Sequence, residues 1–159
     1  MLNDIVTKKK SVIVKNWIQL IFETYSSETS KFLNLEKNQF SNPVGFTTSE
    51  AVDHLFDAII NDVNPGSVKP SLIDLIKIRA VQEFTPSQAV GFVFLLKKVI
   101  RDELIDELDE TKIYNELLEL YSKVDKAALI AFDLYQECRE KVYQIHLNEI
   151  KTNSLSVFG

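Results

Sequence analysis

A chain of 159 residues is the length of one domain, and with 45% apolar and 26% charged residues it can bury a core rather than stay disordered. Four Gly and four Pro are too few turn-formers for a sandwich or barrel of many short strands, and one Cys excludes an internal disulfide framework and any Cys-based zinc site. A net charge of −5 argues against a dedicated nucleic-acid binder, whose affinity comes from neutralising phosphates.

At the N-terminus, Lys8, Lys9, Lys10 and Lys15 interrupt the apolar residues, so no export signal is read there. The longest apolar run, Ala89 to Leu96, is far too short for the ~30 Å of a membrane's hydrocarbon layer, and cytoplasm is the expected location. The period of the chain is helical. Ile5, Val6, Val12, Ile13, Trp17, Leu20, Ile21 and Tyr25 share one face and predict a helix from about Asn3 to Tyr25. Glu28 to Phe46 is less regular: Phe32, Leu33 and Leu35 suggest a short turn, and Asn42-Pro43-Val44-Gly45 reads as a tight turn. Thr47-Thr48-Ser49-Glu50 has capping-box spacing and predicts a helix with Val52, Leu55, Phe56, Ile59 and Ile60, ending near Asn64-Pro65-Gly66. Pro70 suits the first turn of the next helix, whose apolar set is Leu72, Ile73, Leu75, Ile76 and Val81 and which stops at about Phe84.

Thr85-Pro86-Ser87-Gln88 is a second capping box with proline at the first helical position, the most specific local signal in the chain. It opens a predicted helix from Pro86 to about Leu108 that begins apolar all round, which implies burial on every side and a central position. Gly91 inside it costs ~1 kcal/mol against Ala, which a close crossing by a neighbouring helix would offset, the alternative being a glycine tolerated there without a packing role.

No Gly or Pro follows until Gly159. The plausible break is Leu108-Asp109-Glu110-Thr111, with Asp109 or Thr111 as cap. Beyond it Ile113, Leu117, Leu120, Val124, Ala127, Ala131, Leu134 and Cys138 alternate steps of four and three, the repeat of a helix seam against another helix. A helix from Thr111 to about Ile150 spans ~60 Å at 1.5 Å per residue. Its far end is therefore expected to project, or to pair with the same helix of a second copy, with Leu117, Leu120, Val124, Ala127, Ala131, Leu134 and Cys138 as the dimer seam. The alternative is an amphipathic helix packed inside one monomer and broken near Ser122 or Asp125.

Asp102, Glu103, Asp106, Glu107, Asp109, Glu110, Glu116 and Glu119 outnumber Arg101 and Lys112 and read as a solvated face, with a partner-facing patch or cation site as the alternative. Lys8-Lys9-Lys10 reads as ordinary surface. No Gly-rich phosphate loop, Gly-x-Ser-x-Gly elbow or His-Glu-x-x-His occurs, so no catalytic, metal or cofactor-binding residue is assigned and the chain is not read as an enzyme. Cys138 lies on the apolar seam, where a buried thiol is inert. His54 and His146 are too far apart for a local metal site, but one axial histidine suffices for haem, which keeps a haem-binding protein as an alternative.

The run from Ile78 to Lys98, Ile-Arg-Ala-Val-Gln-Glu-Phe-Thr-Pro-Ser-Gln-Ala-Val-Gly-Phe-Val-Phe-Leu-Leu-Lys-Lys, closely resembles the N-terminal domain of RsbRD-type RsbT co-antagonist proteins. Phe40-Ser41-Asn42-Pro43-Val44-Gly45 and the helix carrying Trp17 are similar to the same family, so the resemblance covers nearly the whole chain. It implies an all-helical, dimeric sensory input module of bacterial stress signalling, comparable to globins that have lost their haem. In full-length co-antagonists it implies that the last helix leads into a C-terminal STAS domain, which carries the phosphorylated threonines and contacts the RsbT kinase. These 159 residues hold no STAS segment, so phosphothreonine regulation is not carried over, and a stand-alone sensor and a piece of a longer chain both stay open.

Within the motif, Thr85 and Gln88 set where one helix ends and the next begins. Arg79 and Gln82 lie at i and i+3 on one face, able to bond to loop carbonyls or to a small anionic ligand. The expectation is one all-α domain over residues 1–159, a globin-like bundle with a long C-terminal helix. It would act as a non-catalytic homodimer that binds regulatory protein partners, with no cofactor, nucleic acid or membrane. The signal would be a population shift between two packings of the helix pair. A haem- or small-ligand-binding globin-like protein is the alternative.

Overall fold

A computed structural model of the chain describes residues 1–36, 38–107 and 111–158, and every regular element within them is helical. Among these residues no helix is long and apolar enough to cross a membrane. Asp109 and Glu110, assigned above to a cap and to an acidic face, lie outside the described residues.

The N-terminal apolar period divides into α1 (Leu2–Lys8) and α2 (Lys10–Glu23), with Lys9 at φ −93° and ψ 8° between them. Tertiary partners account for the break. The Lys9 ammonium donates to the Glu103 carbonyl at 3.0 Å, and α1 is tied elsewhere by the Leu2 N–H, which donates to Glu116 Oε2 at 2.8 Å. Lys10 donates to Asp57 at 2.9 Å and also pairs with Asp53. Lys9 and Lys10 are thus partly buried straps rather than ordinary surface, whereas Lys8 is exposed as expected.

Helix α3 (Ser27–Leu35), capped by the Ser26 side chain, takes the place of the short turn expected there. Helix α4 (Pro43–Asn61) starts earlier than Thr47, because Asn42 is its cap: Oδ1 accepts from the Gly45 N–H at 2.9 Å and Pro43 occupies the first turn. Thr48 and Ser49 sit inside this helix and donate back to the carbonyls of Val44 and Gly45 instead of opening it. Helix α5 (Pro65–Val81) is likewise opened by a cap, Asn64 with Ser67 in reciprocal bonds, which leaves Pro70 inside it rather than at its start.

Between Pro86 and Glu107 the expected single rod is four pieces: α6 (Pro86–Val90), a 3-10 turn (Gly91–Val93), α7 (Leu95–Leu104) and a second 3-10 turn (Ile105–Glu107). Burial on every side fails here too. Phe92 and Val93 are buried, but Phe94 is 46% exposed, because in α7 the buried residues Leu96, Val99, Ile100 and Leu104 return at helical spacing on one side only. Gly91 is no crossing point, since a Cβ built on it meets nothing within 4 Å.

Helix α8 (Thr111–Phe158) runs unbroken for 48 residues, ~72 Å, past Ser122, Asp125 and the expected end at Ile150. The seam residues Leu117, Leu120, Val124, Ala127, Ala131, Leu134 and Cys138 are all 5% exposed or less within one chain. Helix α8 packs along α5, with further contacts to α4 and α6, so this stripe closes the chain's own core and is not available as a dimer seam. That core gathers every helix around the fully buried Trp17, whose indole N–H donates to the Phe92 carbonyl at 2.8 Å.

Candidate functional site

The corner between α5 and α6 is where the motif residues meet. Helix α5 ends in a left-handed residue, Glu83 at φ 60°; the Phe84 N–H returns to the Arg79 carbonyl and the Glu83 N–H to the Ala80 carbonyl, both at 3.3 Å. Two residues later Thr85 and Gln88 cap α6 reciprocally: Thr85 Oγ1 accepts from the Gln88 N–H at 3.3 Å, and Gln88 Oε1 accepts from the Thr85 N–H at 3.0 Å. That box was legible because all its groups lie within four residues of each other.

Arg79, in the last turn of α5, is 2% exposed. Its Nη1 donates to the carbonyls of Gln88 at 2.9 Å and Ala89 at 3.4 Å, and Nη2 donates to the Tyr25 hydroxyl at 3.3 Å. Three rings surround the guanidinium carbon, with centroids at 5.0 Å (Phe92), 5.1 Å (Phe84) and 6.0 Å (Tyr25), within the range of cation–π attraction. Arg79 Nε is buried with no hydrogen-bond partner, and among the described residues no carboxylate pairs with the group. Burial lowers its pKa, with Tyr25 acting in the opposite direction, and a guanidinium still carries its charge at neutral pH.

Arg79 and Gln88 are therefore brought together, with Thr85 beside them, whereas Gln82 is exposed at the end of α5 and does not join the cluster. Tyr25, Phe84 and Phe92 were not legible as members of this site, because their closeness depends on α2, the corner and the 3-10 turn folding onto one another. They bound a cavity of about 370 Å³ lined also by Arg79, Gly91 and Leu95. A wider cleft of about 800 Å³ runs past α2, α3 and α4, with Lys10 and its partner Asp53 among its polar groups.

Helix α8 grips the same corner. The Tyr135 hydroxyl donates to the Phe84 carbonyl, and Arg139 Nη1 donates to the Ala80 carbonyl at 2.7 Å. His54 and His146 are both exposed and neither lines the aromatic cavity, so the haem alternative has no buried imidazole to rest on. Burial pushes the Cys138 thiol above its ordinary pKa, the opposite of what a nucleophile needs.

Neither a curated protein nor a solved structure matches the chain significantly. The family described as the RsbT co-antagonist protein rsbRD N-terminal domain matches residues 11–150, from the first turn of α2 through most of α8, and so takes in the Arg79 corner and the helix that grips it. The chain belongs to the family of RsbT co-antagonist protein rsbRD N-terminal domains.

Proposed function

We propose that this regulatory signalling input domain works without catalysis as a homodimer paired through the outward face of α8. A change at the Arg79 corner would be passed along that helix pair to a regulatory protein partner.

One observation carries the pairing: α8 has a second apolar stripe. Tyr114, Leu118, Leu129, Phe132, Tyr143 and Ile150 are each 44–68% exposed. At 3.6 residues per turn they fall within an arc of about 60°, roughly 140° around the helix from the buried seam. The stripe spans ~54 Å of helix, crossed in the same arc by Asp125 and Gln136, and soluble monomers rarely leave apolar surface of such extent open. A second copy is the occupant that fits. Two-fold pairing sets the stripe against itself, and steps of three, four, seven and eleven residues are those at which helices interlock. Transmission follows from Tyr135 and Arg139, which join α8 to the corner carbonyls, so that two arrangements of the corner select two packings of the pair.

Light scattering at high micromolar concentration tests this. The expected mass is twice 18.2 kDa, falling to one chain in Leu129→Glu/Phe132→Glu with the helical circular dichroism retained. A wild-type chain that stays monomeric overturns the pairing.

A further inference from the structure

We propose that the cavity beside Arg79 binds a small monoanion, a carboxylate carried on a flat apolar body, as the input to the regulatory role above, on which this inference rests. Arginine is almost never fully buried without a partner, because taking its charge out of water is costly. Here, among the described residues, the guanidinium has only neutral oxygens and ring faces around it, with Nε left unbonded. The Tyr25 hydroxyl accepts from Arg79, which leaves its own proton to donate. Among the described residues no acidic side chain lines the cavity, and the other polar groups there include the Ser87 hydroxyl and the Gln88 amide. The site is therefore rich in donors around a single positive charge.

That balance selects the ligand class. One cation matches one negative charge; a phosphate dianion would bring a second with nothing to pair it. The walls of Tyr25, Phe84, Phe92 and Leu95 suit a planar apolar group, and about 370 Å³ is enough for one aryl ring with a short acidic arm. Gly91 contributes by absence: with open space where its Cβ would stand, it keeps the cavity clear instead of seating a neighbour. Phe84 links the ligand to the output, since its ring stands over Arg79 while its carbonyl is held by Tyr135 of α8.

The test is calorimetry on the whole 159-residue chain with phenylacetate, its neutral isostere phenylacetamide and inorganic phosphate, with the Arg79 Nε–H resonance followed by NMR. Phenylacetate is expected to bind saturably, one per chain, and to move that resonance. Phenylacetamide and phosphate are expected to bind about tenfold more weakly or worse, the ratio that loss of a charge-assisted hydrogen bond gives. Gly91→Leu should abolish binding while leaving Arg79 and the thermal midpoint in place, and Tyr25→Phe should weaken it severalfold. Equal binding of the amide, unchanged binding by Gly91→Leu, or no saturable binding by phenylacetate or benzoate overturns the proposal. The two readings fail separately: a monomer that binds phenylacetate removes only the pairing, and a dimer indifferent to carboxylates removes only the ligand.

Discussion

The Tyr135 hydroxyl, midway along α8, donates to the main-chain carbonyl of Phe84, the residue whose ring centroid stands 5.1 Å from the Arg79 guanidinium. One residue of the corner thus faces the buried charge with its side chain and the output helix with its backbone. Removing this oxygen in Tyr135→Phe leaves the Phe84 carbonyl short of a partner. The expected loss is about 1 kcal/mol, a fall of ~2–4 °C in thermal midpoint for a domain of this size. Amide exchange should quicken at residues 80–90 and not in α4. An exchange increase spread evenly over the chain would show that the bond does not hold the corner.

Asn42 ties two helices through one side chain. It is 2% exposed, caps α4 through the Gly45 N–H, and donates from Nδ2 to the carbonyls of Leu33 at 3.1 Å and Glu36 at 3.0 Å. Asn42→Ala is expected to cost about 2–4 kcal/mol, more than a surface cap, because buried carbonyls are left unpaired as well. Gly45→Ala drives its Cβ into Asn42 Nδ2 and must displace that cap. Chemical denaturation should therefore show the double variant Asn42→Ala/Gly45→Ala losing clearly less than the sum of the two single losses. Additive losses would mean that the clash lies elsewhere.

Glu83 holds a left-handed backbone at φ 60° with its side chain exposed. Glycine occupies that conformation without the Cβ penalty, so Glu83→Gly is expected to stabilise the chain by about 1 kcal/mol, seen as a rise of ~2–4 °C in melting temperature. A β-branched residue, as in Glu83→Val, should destabilise it. The same ranking for both variants would contradict the strained helix stop.

Burial raises the Cys138 pKa, only partly opposed by Lys141 and Lys77, so at mildly alkaline pH less thiolate is present than in a free cysteine. Labelling by a disulfide reagent should be slow in the native chain, reach half-maximal rate at higher pH than in the unfolded chain, and become fast in denaturant. Rapid stoichiometric labelling of the native protein would place Cys138 on an accessible surface.

Several of these features are local, and local features were readable. The Thr85–Gln88 box closes within four residues, so its chemistry is complete in the order of the amino acids. The Ile113-to-Cys138 stripe could be named for the same reason, since a period belongs to one helix. What covers that stripe is a different question. It was expected to meet a twin and instead meets α5 and its neighbours, because a period identifies a face without identifying what packs on it. The true helix starts at Asn42 and Asn64 competed with nearby residues that also favour a helix start, Thr47 by its capping oxygen and Pro70 by its fixed φ. The winner at Asn42 is the residue with additional partners in α3.

Helical class, the α6 cap and the apolar repeat of the last helix follow from the chain's order alone, since each is decided by groups within one or two turns of each other. Only the tertiary structure decided which stripe of α8 turns inward, where the Pro86 rod breaks, and that Arg79 stands among Tyr25, Phe84 and Phe92 with no carboxylate partner among the described residues. The Arg79–Tyr25 bond spans 54 residues and the Trp17–Phe92 bond 75. At those separations no spacing in the sequence constrains the distance, and burial of a shared core is what brings the groups into contact.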